Sequence, residues 1–228
     1  EIYTLSLHDA LPIWSAKITE AMKRVAAEER QSPEAIRERV AKGTVAICAN
    51  RNHAGLKPAG VGEGLRVKVN ANLGTSSDFP DLAPELEKLT EAVRCGADAV
   101  MDLSTGDNIG ASRRAIIGHS PVMVGTVPIY EATVTAIKER GAVVDMKAED
   151  LLRVIEDQAK DGADFMTLHC GLTREAIARL HRQGRVMDVV SRGGSFLTGW
   201  MLHNEKENPL YEKDRKSTRL NSSHGRRS

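Results

Sequence analysis

Short strand-like apolar runs alternate with helical patterns along most of this 228-residue chain, and a polar or glycine-rich cluster closes run after run. The clusters are Val69-Asn70-Ala71-Asn72, Met101-Asp102-Leu103-Ser104-Thr105-Gly106, Gly125-Thr126-Val127-Pro128-Ile129-Tyr130, His169-Cys170-Gly171 and Ser191-Arg192-Gly193-Gly194-Ser195. Strand–helix alternation implies parallel strands joined by right-handed crossovers. Such folds place their chemistry at the carboxyl ends of strands. A doubly wound sheet and a (β/α)8 barrel both satisfy the pattern. No G-x-G-x-x-G follows the first strand, which weakens the dinucleotide-binding version. Polar clusters after successive strands favour the barrel, whose loops converge at one mouth.

The local signals place the elements. Residues 14–30 read as a helix with Ile18, Met22 and Val25 on one face. Ser32-Pro33 is a helix start, a capping hydroxyl followed by proline at the first helical position, and Gly43 stops that helix. Strands are expected at 45–48, 65–69, 99–103, 122–126, 165–169 and 186–190, with a Gly/Pro loop at 57–64. Helices are expected at 84–95, 109–118, 131–140, 149–160 and 173–183; the first carries Leu86, Leu89, Ala92 and Val93 on one stripe. The joints Cys95-Gly96-Ala97-Asp98 and Asp161-Gly162-Ala163-Asp164 are near-copies, each leading into a strand that contains methionine.

The two ends read differently from the rest. Residues 1–13 and 214–224 back-translate without mismatch to the forward and reverse adapters of a short-read sequencing library, so 1–13 and 214–228 are expected to be adapter-derived and 14–213 to be native. Setting aside Glu1, Asp9 and Asp214, and Arg215, Lys216, Arg219, Arg226 and Arg227, turns the formal charge of +1 into −1. The basic tilt then argues nothing for nucleic acid. Aromatics are 4% of the chain, too few for a base-stacking platform. No apolar run approaches the ~20 residues of a membrane helix. Cys48, Cys95 and Cys170 lack C-x-x-C spacing, which suits a reduced, cytoplasmic setting.

Each cluster has two readings. Asn70 and Asn72, two apart at a strand end, point the same way and can fix a polar ligand with paired donors and acceptors; alternatively they end the strand by Asx-turn chemistry. The Asp102–Gly106 segment reads more simply as a turn and cap, and Met101 as core. Tyr130 either aims its hydroxyl at a pocket or is structural. His169 at a strand end can bind substrate, shuttle protons or ligate metal, or is a hydrogen-bonded core histidine. In Ser191–Ser195, two glycines let backbone amides approach an anion closely, with Arg192 and the hydroxyls as further donors, a phosphate-binding chemistry; the plain reading is a glycine-rich turn. His53, His119, His181 and His203 form no metal-ligand spacing with one another.

Taken in order, VNAN, MDLSTG, GTVPIY, an H-x-G after a strand and SRGGS resemble the phosphomethylpyrimidine synthase family over about 17–212, and Gly199-Trp200 through Glu207-Asn208-Pro209-Leu210-Tyr211 is similar to that family's following helix. The resemblance implies a (β/α)8 TIM barrel, present here in part with about five strands. It implies a radical lyase of thiamine biosynthesis that rearranges 5-aminoimidazole ribotide to 4-amino-2-methyl-5-(phosphomethyl)pyrimidine with S-adenosylmethionine, a [4Fe–4S] cluster and zinc, in a cytoplasmic homodimer without nucleic-acid or membrane partners. Substrate contacts carry over to Asn72, Met101, Tyr130, His169, Ser191, Arg192 and Gly193, the last three on the phosphate end. The family's metal-binding histidines and cysteine cluster carry over to no residue here and are expected beyond Lys213. The isolated fragment is therefore expected to be inactive and poorly folded. A non-radical sugar-phosphate barrel lyase is the alternative enzyme; it would keep the SRGGS phosphate site but needs a catalytic lysine or carboxylate pair at the mouth, and Lys68 points away from that role by strand alternation with Val67 and Val69. A non-catalytic ribotide- or phosphate-binding fragment is the alternative from another class.

Overall fold

The computed structural model describes residues 17–213; the segments 1–13 and 214–228, expected to be adapter-derived, and the start of the first expected helix lie outside the described residues. The described chain divides into two compact units, one made of residues up to Thr126 together with Asp157–Met166, the other of Val127–Glu156 and the residues from Thr167 on. No described helix is long and apolar enough to cross a membrane.

The first unit opens with α1 (Glu20–Glu28) and α2 (Pro33–Lys42). Thr19 and Ser32 cap them by accepting the amides of Met22 and Ala35, each at 3.2 Å. Met22, Val25, Ala26 and Ile36 form one buried cluster, with Ile18 and Val40 packed on it. β1 (Val45–Cys48) pairs antiparallel with β2 (Ala59–Gly62), so part of the expected Gly/Pro loop is in fact a strand. A separate four-stranded sheet follows: β3 (Asn70–Leu73), β4 (Ala99–Asp102), β5 (Met123–Thr126) and β6 (Phe165–Met166), in that order and all parallel. Between them in the chain lie α3 (Ala83–Arg94), α4 (Ile109–His119), α5 (Pro128–Arg140) and α6 (Ala148–Asp161). The chain is therefore an α/β protein with a parallel sheet.

Parallel strands put residues of equal height on one face, and successive residues on opposite faces. Ala71, Leu73, Val100 and Val124 share one face and pack with Leu89, Ile116 and Ile117 from the helices. Full burial of each large apolar side chain contributes about 1.5–3 kcal/mol. The expected α3 stripe is thus the core contact: Leu89 is buried, and Leu86, Ala92 and Val93 pack against the cluster.

Three expectations fail. The strand expected at 65–69 lies at Asn70–Leu73, and the alternation is inverted: Val67 and Val69 are exposed, whereas Lys68 is buried in an ion pair with Glu29 at 2.6 Å. The ion pair and the bidentate Arg66–Asp98 contact override the apolar pattern. β6 is two residues long, so His169 stands three residues past the strand end. Residues 186–190 form no strand, and Val186, Met187 and Val190 are exposed; a strand needs a partner for its backbone groups, and no described strand runs beside them.

A polar latch closes the amino ends of β5 and β6. Asp164 accepts from Asn50 N, Val124 N and His53 Nδ1 at 2.8, 2.8 and 2.6 Å. His53 Nε2 donates to the Ser120 carbonyl at 2.8 Å, and both His53 and Asp164 side chains are fully buried. Asn50 and Asn52 donate their carboxamide protons to the carbonyls of Ala159, Ala163 and Lys160. With an acceptor at each ring nitrogen, this site favours the protonated form of His53. Burial opposes that charge, but the Asp164 hydrogen bond, the Ser120 carbonyl and the Asp164 charge outweigh it and raise the pKa above 6.5. The stability this pair contributes is therefore fully present below the unfolded value and is lost as pH rises through the folded one. Urea midpoints measured from about pH 6 to 9 should fall with pH in the native chain and flatten in His53→Gln.

Candidate substrate-binding site

Within the first unit, Asn70 and Asn72 project from the same face of β3, and the Asn70 carboxamide donates to Asn72 Oδ1 at 2.9 Å. Both are exposed. They do not make the Asx turn that the alternative reading required. Met101 lies beside Asn72 in the sheet and is half-buried. The following segment does form the turn that its sequence favoured: Asp102 accepts the Ser104 amide, and the Ser104 hydroxyl accepts the Thr75 amide.

Within the second unit, the remaining predicted residues gather at the start of α8 (Arg192–Asn204). Ser191 caps this helix, its Oγ accepting the Gly194 amide at 3.2 Å. The first amides of a helix have no acceptor within it, and its amino end favours anions. Those of Arg192 and Gly193 are the first here. The Arg192 guanidinium lies 5.9 Å from the centroid of the Tyr130 ring, on the first turn of α5 (Pro128–Arg140), within cation–π range. The charge is thereby held at the helix start while remaining exposed.

His169 Nε2 lies 3.0 Å from Ser191 Oγ. Its Nδ1 is buried and has no hydrogen-bond partner. Burial lowers the pKa of this histidine, the reverse of His53. A neutral imidazole that keeps one unsatisfied nitrogen is suited to a polar ligand atom rather than to an ion pair. Gly193 makes the approach possible: a methyl group there would overlap the His169 ring and stand 2.8 Å from Ile129 Cγ2.

The Ser195 hydroxyl donates to backbone carbonyls of the preceding turn, at Val189 or Ser191, so it braces that turn and does not add to the anion donors. Asn208, fully buried, donates to the carbonyls of His169 and Leu172 at 2.7 and 2.9 Å. It fixes the His169 loop, a role no local pattern announced. Its only mark in the sequence is the Asn-Pro pair after a charge run. A groove along α7 (Arg174–Gln183), lined by Leu172, Ile177, Leu180 and Val189, holds none of the predicted residues.

The cofactor donors implied by the resemblance are not found among these residues. Cys48 packs beside Ala59, Ala99 and Met123, and burial raises its pKa. Cys95 is exposed beside Glu91, whose hydrogen bond and charge raise its pKa. Among the described residues, no group of three or more His, Cys, Asp or Glu could hold a metal ion. Neither an iron–sulfur cluster nor zinc fits here, and the chemistry open to these residues is binding: an anion at the α8 start, a polar group at His169 and another at Asn72.

Residues 12–219 match the family described as Radical SAM ThiC. The phosphomethylpyrimidine synthase of Moorella thermoacetica is 61% identical over 195 residues, 86% of this chain and 45% of that protein. The phosphomethylpyrimidine synthase of Desulforamulus reducens is 56% identical over 198 residues, 87% of this chain and 46% of that protein. A 5-hydroxybenzimidazole synthase BzaB of Moorella thermoacetica is 52% identical over 198 residues, again 87% and 46%. This chain thus spans about half the length of the curated relatives it matches. A match across both units, including every strand-end cluster read from the sequence, places the chain in the Radical SAM ThiC family.

Proposed function

We propose that the chain serves phosphomethylpyrimidine synthase, the rearrangement of 5-aminoimidazole ribotide to 4-amino-2-methyl-5-(phosphomethyl)pyrimidine in thiamine biosynthesis. Its four-stranded parallel sheet is part of a (β/α)8 barrel in this reading, and the whole enzyme is a cytoplasmic homodimer. In the family's chemistry S-adenosylmethionine and a [4Fe–4S] cluster supply the radical, with zinc nearby. Here the task of the chain is to hold a reactive substrate in position.

The observation that carries this reading is the α8 start, where a capped helix end, paired glycines and a ring-anchored arginine make a phosphate cradle. Ser191, Arg192 and Gly193 bind the phosphate. Asn72, Tyr130 and His169 hold the imidazole and ribose in this reading, and Met101 is a further substrate contact. The 5-hydroxybenzimidazole synthase reading is second, since that relative is 52% identical against 61% for the synthase of the same bacterium. A sugar-phosphate lyase using Lys68 is disfavoured by its buried ion pair with Glu29.

Calorimetry of the 228-residue chain with 5-aminoimidazole ribotide tests the proposal. Arg192→Ala should weaken binding at least about tenfold, because a charge-assisted contact to phosphate is worth roughly 1.5–3 kcal/mol. Undiminished affinity in Arg192→Ala would refute the phosphate assignment.

A further inference from the structure

Strand register aligns four residues across the first unit's sheet: Asn72 with Met101, Met101 with Gly125, and Gly125 with Phe165. Residues so aligned project from one face. The adjacent row toward the strands' amino ends is sealed: Ala99 and Met123 are buried with Ala59, and Cys48 and Phe165 pack against them. The aligned row itself is more open. Asn72 is exposed, and Met101 and Phe165 are half-buried.

Gly125 is the odd member of that row. It is buried, and the Phe165 ring occupies the space where a side chain at 125 would begin. The ring therefore lies over the β5 backbone rather than standing away from the sheet. One apolar side of it rests on glycine and on the Met123 layer; what remains is a flat aromatic surface in the same row as Met101 and the Asn72 carboxamide.

We propose that Phe165 is a specificity-determining residue, the floor on which the substrate's flat heteroaromatic ring stacks while Asn72 engages its polar edge. The inference rests on the ribotide reading above and adds to it a residue outside every cluster found in the sequence. Gly125 is the positioning residue that lets the floor lie flat. Aromatic stacking selects for a planar ring and is indifferent to a ribose phosphate.

The test compares two ligands on the 228-residue chain: 5-aminoimidazole ribotide, and ribose 5-phosphate, which lacks the heterocycle. Phe165→Leu should weaken the ribotide about tenfold, at the upper end for an aromatic pair, and leave ribose 5-phosphate unchanged. Phe165→Tyr keeps the ring and should restore ribotide affinity. Gly125→Ala should give the same ligand-selective loss by displacing the ring, and it decides the matter should Phe165→Leu not fold. An equal loss for both ligands, or none for the ribotide, overturns the assignment. Asn72→Ala and Arg192→Ala separate the two claims. If both leave ribotide binding intact, the functional reading fails; if both weaken it while Phe165→Leu does not, only the floor fails.

Discussion

Asp164→Ala is expected to destabilise the first unit by about 3–5 kcal/mol, the range for breaking a buried ion pair by removing one partner. The carboxylate accepts the Asn50 and Val124 amides as well as the His53 ring, so its loss strands three buried donors together. The imidazolium can relieve part of this by releasing a proton, which removes the positive charge but leaves the amides unpaired. Two readouts check it. The unfolding free energy of the variant from urea titration should drop at pH near 6 by the amount stated, and the Asn50 and Val124 amides should lose hydrogen-exchange protection before the amides of Leu73 on β3 and Val100 on β4 do. A loss under about 1 kcal/mol, with protection of both amides retained, would mean that packing and not the latch holds the amino ends of β5 and β6.

Gly193→Ala should weaken ribotide binding by about tenfold, because driving His169 away removes a polar contact worth roughly 0.5–1.5 kcal/mol. The position is helical, and alanine there would raise helix propensity by up to about 1 kcal/mol if nothing opposed it. What opposes it is the His169 ring and Ile129 Cγ2. The two effects have different signatures. If the added methyl drives His169 away, calorimetry shows the affinity loss and the melting temperature does not rise. If affinity is retained and the chain becomes more stable, the close approach of His169 to α8 has no functional weight. The same variant should also weaken ribose 5-phosphate, since the cradle faces the phosphate end; this distinguishes it from Phe165→Leu.

Much of this fold was legible because its signals are local. Ser32, Pro33 and Gly43 bound α2 through chemistry confined to their own turn, and the α3 stripe identified its buried face from spacing alone. The SRGGS segment was readable as a place for close backbone approach, but the helix that Ser191 caps was not among the elements its local pattern predicted. Where two local signals competed, the stronger one was not visible. Val67 and Val69 looked like an inward row, yet Lys68 turned inward because Glu29, far away in sequence, waited for its charge.

The candidate site divides along the same line. Asn72, Met101, Tyr130, His169, Ser191, Arg192 and Gly193 could be nominated because the ordered clusters they sit in resemble a family's motifs. Asn208, Phe165 and His53 could not. Asn208 matters through carbonyls 39 and 36 residues earlier, His53 through a carboxylate 111 residues later, and Phe165 through a register that aligns it with Gly125. Caps, turns and apolar stripes arise from neighbours along the chain, so residue order suffices to predict them. Which histidine faces a buried carboxylate, which ring lies on which glycine and which amide holds which loop depend on long-range contacts that form only when the chain has folded.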